Sequence, residues 1–216
     1  MSLRKIRTTL TIVALTVPGL AVARIYPGAA YYFGALNGDE WLPFRFYSLF
    51  TYALYPGPVL GWALGAISLL CAGLVIEPVL GGRQVWALAV GSGSLAALTF
   101  VLIPGNSGLL VGNAIVAWGF GGATCVIGVR RWPHLGWVLK SYIVLAWLLI
   151  LPFVLIVFAP KLDAGAMTQC VAIASGVFFA AFHELRASRA RPNNRLKQTA
   201  RGRSGAESLR RTRAAA

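Results

Sequence analysis

Few side chains in this sequence are of the types that do acid–base, nucleophilic or metal chemistry, and their spacing narrows the options further. Cys71, Cys125 and Cys170 stand singly in three separate apolar stretches, with neither a CxxC pair nor metal-ligand spacing, so they read as small core residues. His134 follows Arg130-Arg131, and His183 closes an apolar run. Asn113 lies within another run, where a side-chain amide is expected to hydrogen-bond a neighbouring helix. Glu77 ends a run six residues before Arg83, and it is expected to cap a helix or pair with that arginine at the membrane interface. Lys161 and Asp163 read as loop charges. No P-loop, dinucleotide fingerprint or metal cluster occurs, so no cofactor and no metal are expected.

The elements that must position these groups are set by hydrophobicity. Of the 216 residues, 57% are hydrophobic and 12% charged, and the mean hydropathy is +0.69, outside the range of water-soluble domains. The net charge of +14 is concentrated at one end: from His183 onward ten Lys or Arg face two Glu. It therefore reads as a tail property, not as a nucleic-acid surface, and no nucleic-acid partner is expected.

A helix rising 1.5 Å per residue needs about 20 apolar residues to cross roughly 30 Å of hydrocarbon. Six such runs are present: Thr8 to Ala23, Leu49 to Ile76, Val85 to Ile103, Leu109 to Val129, Val138 to Phe158 and Ala164 to Phe182. The sequence therefore predicts an all-α, six-span membrane domain over residues 8–182, with a short N-terminus (1–7) and a basic, disordered tail (183–216). Pro56-Gly57-Pro58 predicts irregular backbone at the start of the second run and regular helix from about Val59. Arg4, Lys5 and Arg7 before the first run resemble a signal peptide, but Arg24 and five further runs favour an uncleaved signal-anchor helix.

Orientation follows from the basic residues, which are retained on the cytoplasmic side. With both termini inside, only Arg24, Arg45 and Lys161 fall outside. Membrane lipids are then an expected partner, with the tail near anionic headgroups. The aromatic-rich stretch Tyr26 to Ser48 is expected to form a structured loop partly sunk in the interface.

Glycine spacing adds a further layer, since small residues let helix backbones approach closely within a bilayer. Gly57, Gly61 and Gly65 recur every four residues, as do Gly108 and Gly112, and Ala172 and Gly176. The stretch Phe50-Thr51-Tyr52-Ala53-Leu54, followed by Gly73, Glu77, Leu80 and Gly81, resembles the second transmembrane helix and following loop of the rhomboid intramembrane serine proteases. Gly105-Asn106-Ser107-Gly108 is similar to that family's GxSG nucleophile motif, and Thr168-Gln169-Cys170-Val171-Ala172-Ile173-Ala174-Ser175-Gly176 resembles its AHxxGxxxG pattern in outline. The resemblance spans Trp41 to Phe182 and implies a six-transmembrane-helix rhomboid-like bundle, in a bacterial inner membrane, with Ser107 at the nucleophile position of a pocket open to the non-cytoplasmic face.

Where the family carries its catalytic histidine, this chain has Gln169, and where it carries His and Asn on the second helix, this chain has Gly61 and Gly65. An amide accepts hydrogen bonds but has no useful basicity, and a serine hydroxyl without a base is a poor nucleophile. His134 and His183 are both expected at the cytoplasmic face, a membrane thickness from Ser107. The resemblance thus implies a member that has lost proteolysis and binds transmembrane segments of client proteins, with Gly105, Asn106, Gly108, Gly61, Gly65 and Asn113 around its pocket. Two alternatives stay open: an active intramembrane serine protease using Ser107, and a small transporter or structural membrane subunit.

Overall fold

A computed structural model describes residues 6–26, 36–37, 47–54, 59–103, 109–134, 136–137, 140–144 and 164–186. The chain divides into two units, Met1–Ala180 and Ala181–Ala216. In the first, helix α1 spans Arg7–Ile25. A short helix α2, Ser48–Thr51, continues into a 3₁₀ turn, Tyr52–Leu54. Helices α3, Val59–Leu80, and α4, Gly82–Leu102, are joined by the single residue Gly81. Helix α5 spans Ala114–Arg131 and runs into a second 3₁₀ turn, Trp132–His134. Residues 140–144 are helical. Helix α6, Ala164–Arg186, belongs to the first unit as far as Ala180. Its final turns lie in the second unit, where the Arg186 guanidinium stands 4.3 Å from the centre of the Phe182 ring.

Three of these helices, α3 with 22 residues, α4 with 21 and α6 with 23, are long and apolar enough to cross a membrane, and α1 carries a shorter apolar helix over Arg7–Val22. At 1.5 Å per residue α3 reaches about 33 Å, slightly more than a hydrocarbon core. Regular helix is described from Val59, and the Pro56-Gly57-Pro58 stretch lies outside the described residues. The fifth predicted run is described only at residues 140–144, and most of the aromatic loop and the basic tail lie outside the described residues.

One boundary departs from the expectation. The fourth run was expected to be helical from Leu109, but α5 begins at Ala114. Leu109–Leu110 instead pairs antiparallel with Leu36–Asn37, Leu36 opposite Leu110 and Asn37 opposite Leu109. The chain then turns at Gly112, whose φ of 92° lies in the left-handed region that favours glycine. Apolar side chains continue through this stretch, so hydrophobicity alone hides the turn.

α5 packs against both α3 and α4, and most of its residues are buried. Its glycines admit close neighbours. A Cβ on Gly176 of α6 would overlap the Gly119 carbonyl oxygen and come within 3.1 Å of the Ala123 nitrogen; one on Gly122 would overlap the Ile173 carbonyl. The Ala172/Gly176 stripe therefore meets a matching strip of small residues on α5, the close backbone approach that membrane helices use in place of a hydrophobic driving force. Beside this seam, Leu69, Ile76, Val85, Leu88, Phe120 and Ile127 form a buried apolar core from α3, α4 and α5.

Candidate functional site

The turn into α5 aims one polar side chain into the helices. The N–H of Gly112 donates to the Tyr52 carbonyl at 3.1 Å, and the Tyr52 hydroxyl donates to the Gly93 carbonyl of α4 at 3.0 Å. Tyr52 is itself fully buried. Together with the Leu36–Asn37 pairing, these bonds fix the backbone just ahead of Asn113. An Asn before a helix usually turns its oxygen back to cap the first turn. Asn113 makes no such bond and points inward at 2% exposure.

Its surroundings come from α3. The Asn113 Nδ2 donates a long hydrogen bond, 3.4 Å, to the Trp62 carbonyl. Its Oδ1 fills the space that a Cβ on Gly65 would take, so Gly65 serves as a socket for the amide. That Oδ1 is buried and has no hydrogen-bond partner among the described residues. Trp62 is held in turn, its indole N–H donating to the Thr16 hydroxyl of α1 at 2.8 Å.

A second amide, on a half-buried side chain, lies on α6. Gln169 is one turn before Ala172, and its Oε1 is also buried without a hydrogen-bond partner among the described residues. Neither amide is a base, but each can donate and accept. Carbonyl oxygens left bare in a water-poor interior cost of the order of 1–3 kcal/mol each. Each oxygen remains an acceptor for any donor that reaches it.

The remaining predicted site residues divide. Gly105, Asn106, Ser107 and Gly108 lie outside the described residues. Gly61, expected beside Gly65 at the pocket, is exposed, and a Cβ there would meet nothing within 4 Å. One turn apart on α3, Gly65 faces the Asn113 amide, and Gly61 faces none of the described residues. His134 ends the turn that follows α5, a helix running roughly 27 Å from Asn113 to Arg131.

Glu77 belongs to a different cluster. Its Oε1 accepts the Thr8 N–H at 2.8 Å, and its Oε2 accepts the Thr9 N–H at 3.0 Å and the Thr9 hydroxyl at 2.7 Å. The carboxylate thus caps the N-terminus of α1 from another helix, where the helix dipole favours negative charge. Its partners are these threonines, with Arg83 exposed nearby in sequence. Gly73 and Gly82 complete the joint, since a Cβ on either would overlap the hydroxyl of Thr9 or Thr8.

Sequence reasoning passed over Tyr52, Trp62, Thr16 and Gly93 as positioning residues. The signal for Tyr52 was its place two residues into an Phe-Thr-Tyr-Ala-Leu stretch; for Trp62 and Thr16, whose bond spans 46 residues, there was none. No protein-family model matches the chain, and no curated protein matches it either.

Proposed function

We propose that this chain is a rhomboid-like, multi-pass membrane protein that does not cleave peptide bonds and instead binds transmembrane segments of client proteins. On this reading it spans a bacterial inner membrane six times with both termini in the cytoplasm. The observation that carries the reading is Gln169. It occupies the position that resembles the family's histidine, on a helix long and apolar enough to span a bilayer, and its buried carbonyl oxygen is unpartnered among the described residues. A side chain there can bind through hydrogen bonds but cannot take a serine proton near neutral pH.

Asn113 adds a second amide, and the Gly119/Gly122/Gly176 seam supports a helical scaffold built on close approach. Exposed apolar side chains along α3, Leu60, Leu64 and Ile67, offer a surface suited to lipid or to another transmembrane helix.

The test is a fluorophosphonate probe applied to the purified full-length protein in detergent. No labelling of Ser107 is expected. Labelling that disappears in Ser107→Ala identifies an activated serine and overturns the assignment in favour of a protease.

A further inference from the structure

The end of α5 and the helical stretch after it carry three cations and two tryptophans, Arg130, Arg131, Trp132, Trp137 and Lys140, within eleven residues. Arg130 and Arg131 close α5, both exposed. After the Trp132–His134 turn, the Lys140 N–H donates to the Gly136 carbonyl at 3.1 Å, a helical bond, and Trp137 and residues 140–144 are helical. This geometry brings the Lys140 ammonium to 5.6 Å from the centre of the Trp132 ring, within cation–π range.

The cluster rests on a firm base. Ile143, 1% exposed, occupies the space beside Gly128 of α5, and the Tyr142 hydroxyl donates to the Ser68 carbonyl of α3 at 3.1 Å. Its outer face is open, with Trp137 77% and Trp132 38% exposed. No Asp or Glu occurs between Glu77 and Asp163, so the long stretch that contains the cluster holds no carboxylate of its own.

Exposed indoles beside cations are what the headgroup layer of a bilayer accommodates: the ring sits at the glycerol level and the charge reaches the phosphates. The aromatic contact orients Lys140 without neutralising it. The partial negative end of the α5 dipole offsets only about half a charge. We propose that Arg131, Trp132, Trp137 and Lys140 form a docking site for the phosphate headgroup of an anionic membrane lipid. This site is separate from the amide pair and does not depend on the client-binding reading.

Tryptophan quenching tests it. The full chain in neutral detergent micelles is titrated with brominated phosphatidylglycerol and, separately, with brominated phosphatidylcholine. The wild-type protein should be quenched at a lower mole fraction of the anionic lipid. Trp132→Phe/Trp137→Phe should lose that selective part of the signal, because it is read at those rings.

Arg131→Gln/Lys140→Gln should reduce the anionic preference by about fivefold per cation removed, whereas Arg131→Lys/Lys140→Arg should keep it. The tail is present in every variant and contributes equally. An unchanged preference in the double Gln variant would overturn the proposal. So would displacement of the quench by inorganic phosphate at the same phosphate concentration, which would make this a site for the free ion.

Discussion

Two polar clusters meet α3, about 18 Å apart along its axis, and they treat their polar atoms in opposite ways. At the Glu77 end, both carboxylate oxygens are taken up by the threonines that begin α1, and Gly73 and Gly82 let those threonines in. At the Gly65 end, the Asn113 amide makes one long bond to Trp62 and leaves its oxygen bare among the described residues. The first arrangement is what stability alone would select, since burying an acceptor is tolerable only when donors surround it. The second leaves an acceptor that any donor reaching it could use.

The comparison breaks most visibly at Glu77. Glu77→Ala strands two backbone N–H groups and a hydroxyl at a buried helix start, and it should cost roughly 3–5 kcal/mol. Glu77→Gln keeps one acceptor oxygen and should cost less than Ala. Thermal unfolding in detergent measures both. A loss below about 1 kcal/mol for the alanine variant would mean that water satisfies α1 equally well, and the contrast between the clusters would collapse.

The α5–α6 seam comes next in size. Gly176→Ala forces a methyl group into backbone atoms, the Gly119 carbonyl and the Ala123 nitrogen, which cannot swing aside as a side-chain tip can. Overpacking of this kind costs roughly 1–3 kcal/mol. Gly61→Ala, with open space around its Cβ, should be neutral or slightly stabilising in the same unfolding assay because it also lowers helix-breaking propensity. Equal effects at the two positions would show that the seam is looser than its geometry requires.

Much of this architecture was legible from residue type, and the failures have physical reasons. The long helices follow from apolar length, which depends on the bilayer and on little else. The Ala172/Gly176 spacing named one half of a seam, but its partner strip on α5 was visible only as a crowded Trp-Gly-Phe-Gly-Gly run. Glu77 was read as a cap or as a partner of Arg83; its true partners lie 68 and 69 residues away, a pairing that no local pattern encodes. The start of α5 was misplaced because Leu109, Leu110 and Val111 suit a helix and a strand equally, and only Gly112 marked the turn. For the candidate site, Asn113 and Gly65 were both singled out, but nothing in their spacing of 48 residues predicted that one fills the other's missing side chain.

That contact supplies the finest test. Gly65→Ala places a methyl group against the Asn113 oxygen and should cost about 1–2 kcal/mol, since the amide is buried too deeply to swing freely. Asn113→Ala removes an acceptor with no partner among the described residues and one weak bond, so it should cost less than about 1 kcal/mol despite emptying a buried position. Combined, the two changes should cost less than their sum, because the alanine at 113 vacates the space that the methyl group needs. Additive losses would show that Asn113 does not occupy the Gly65 socket. If Asn113→Ala alone proved strongly destabilising, the amide would be structural like Glu77, and the contrast between the two clusters would be lost.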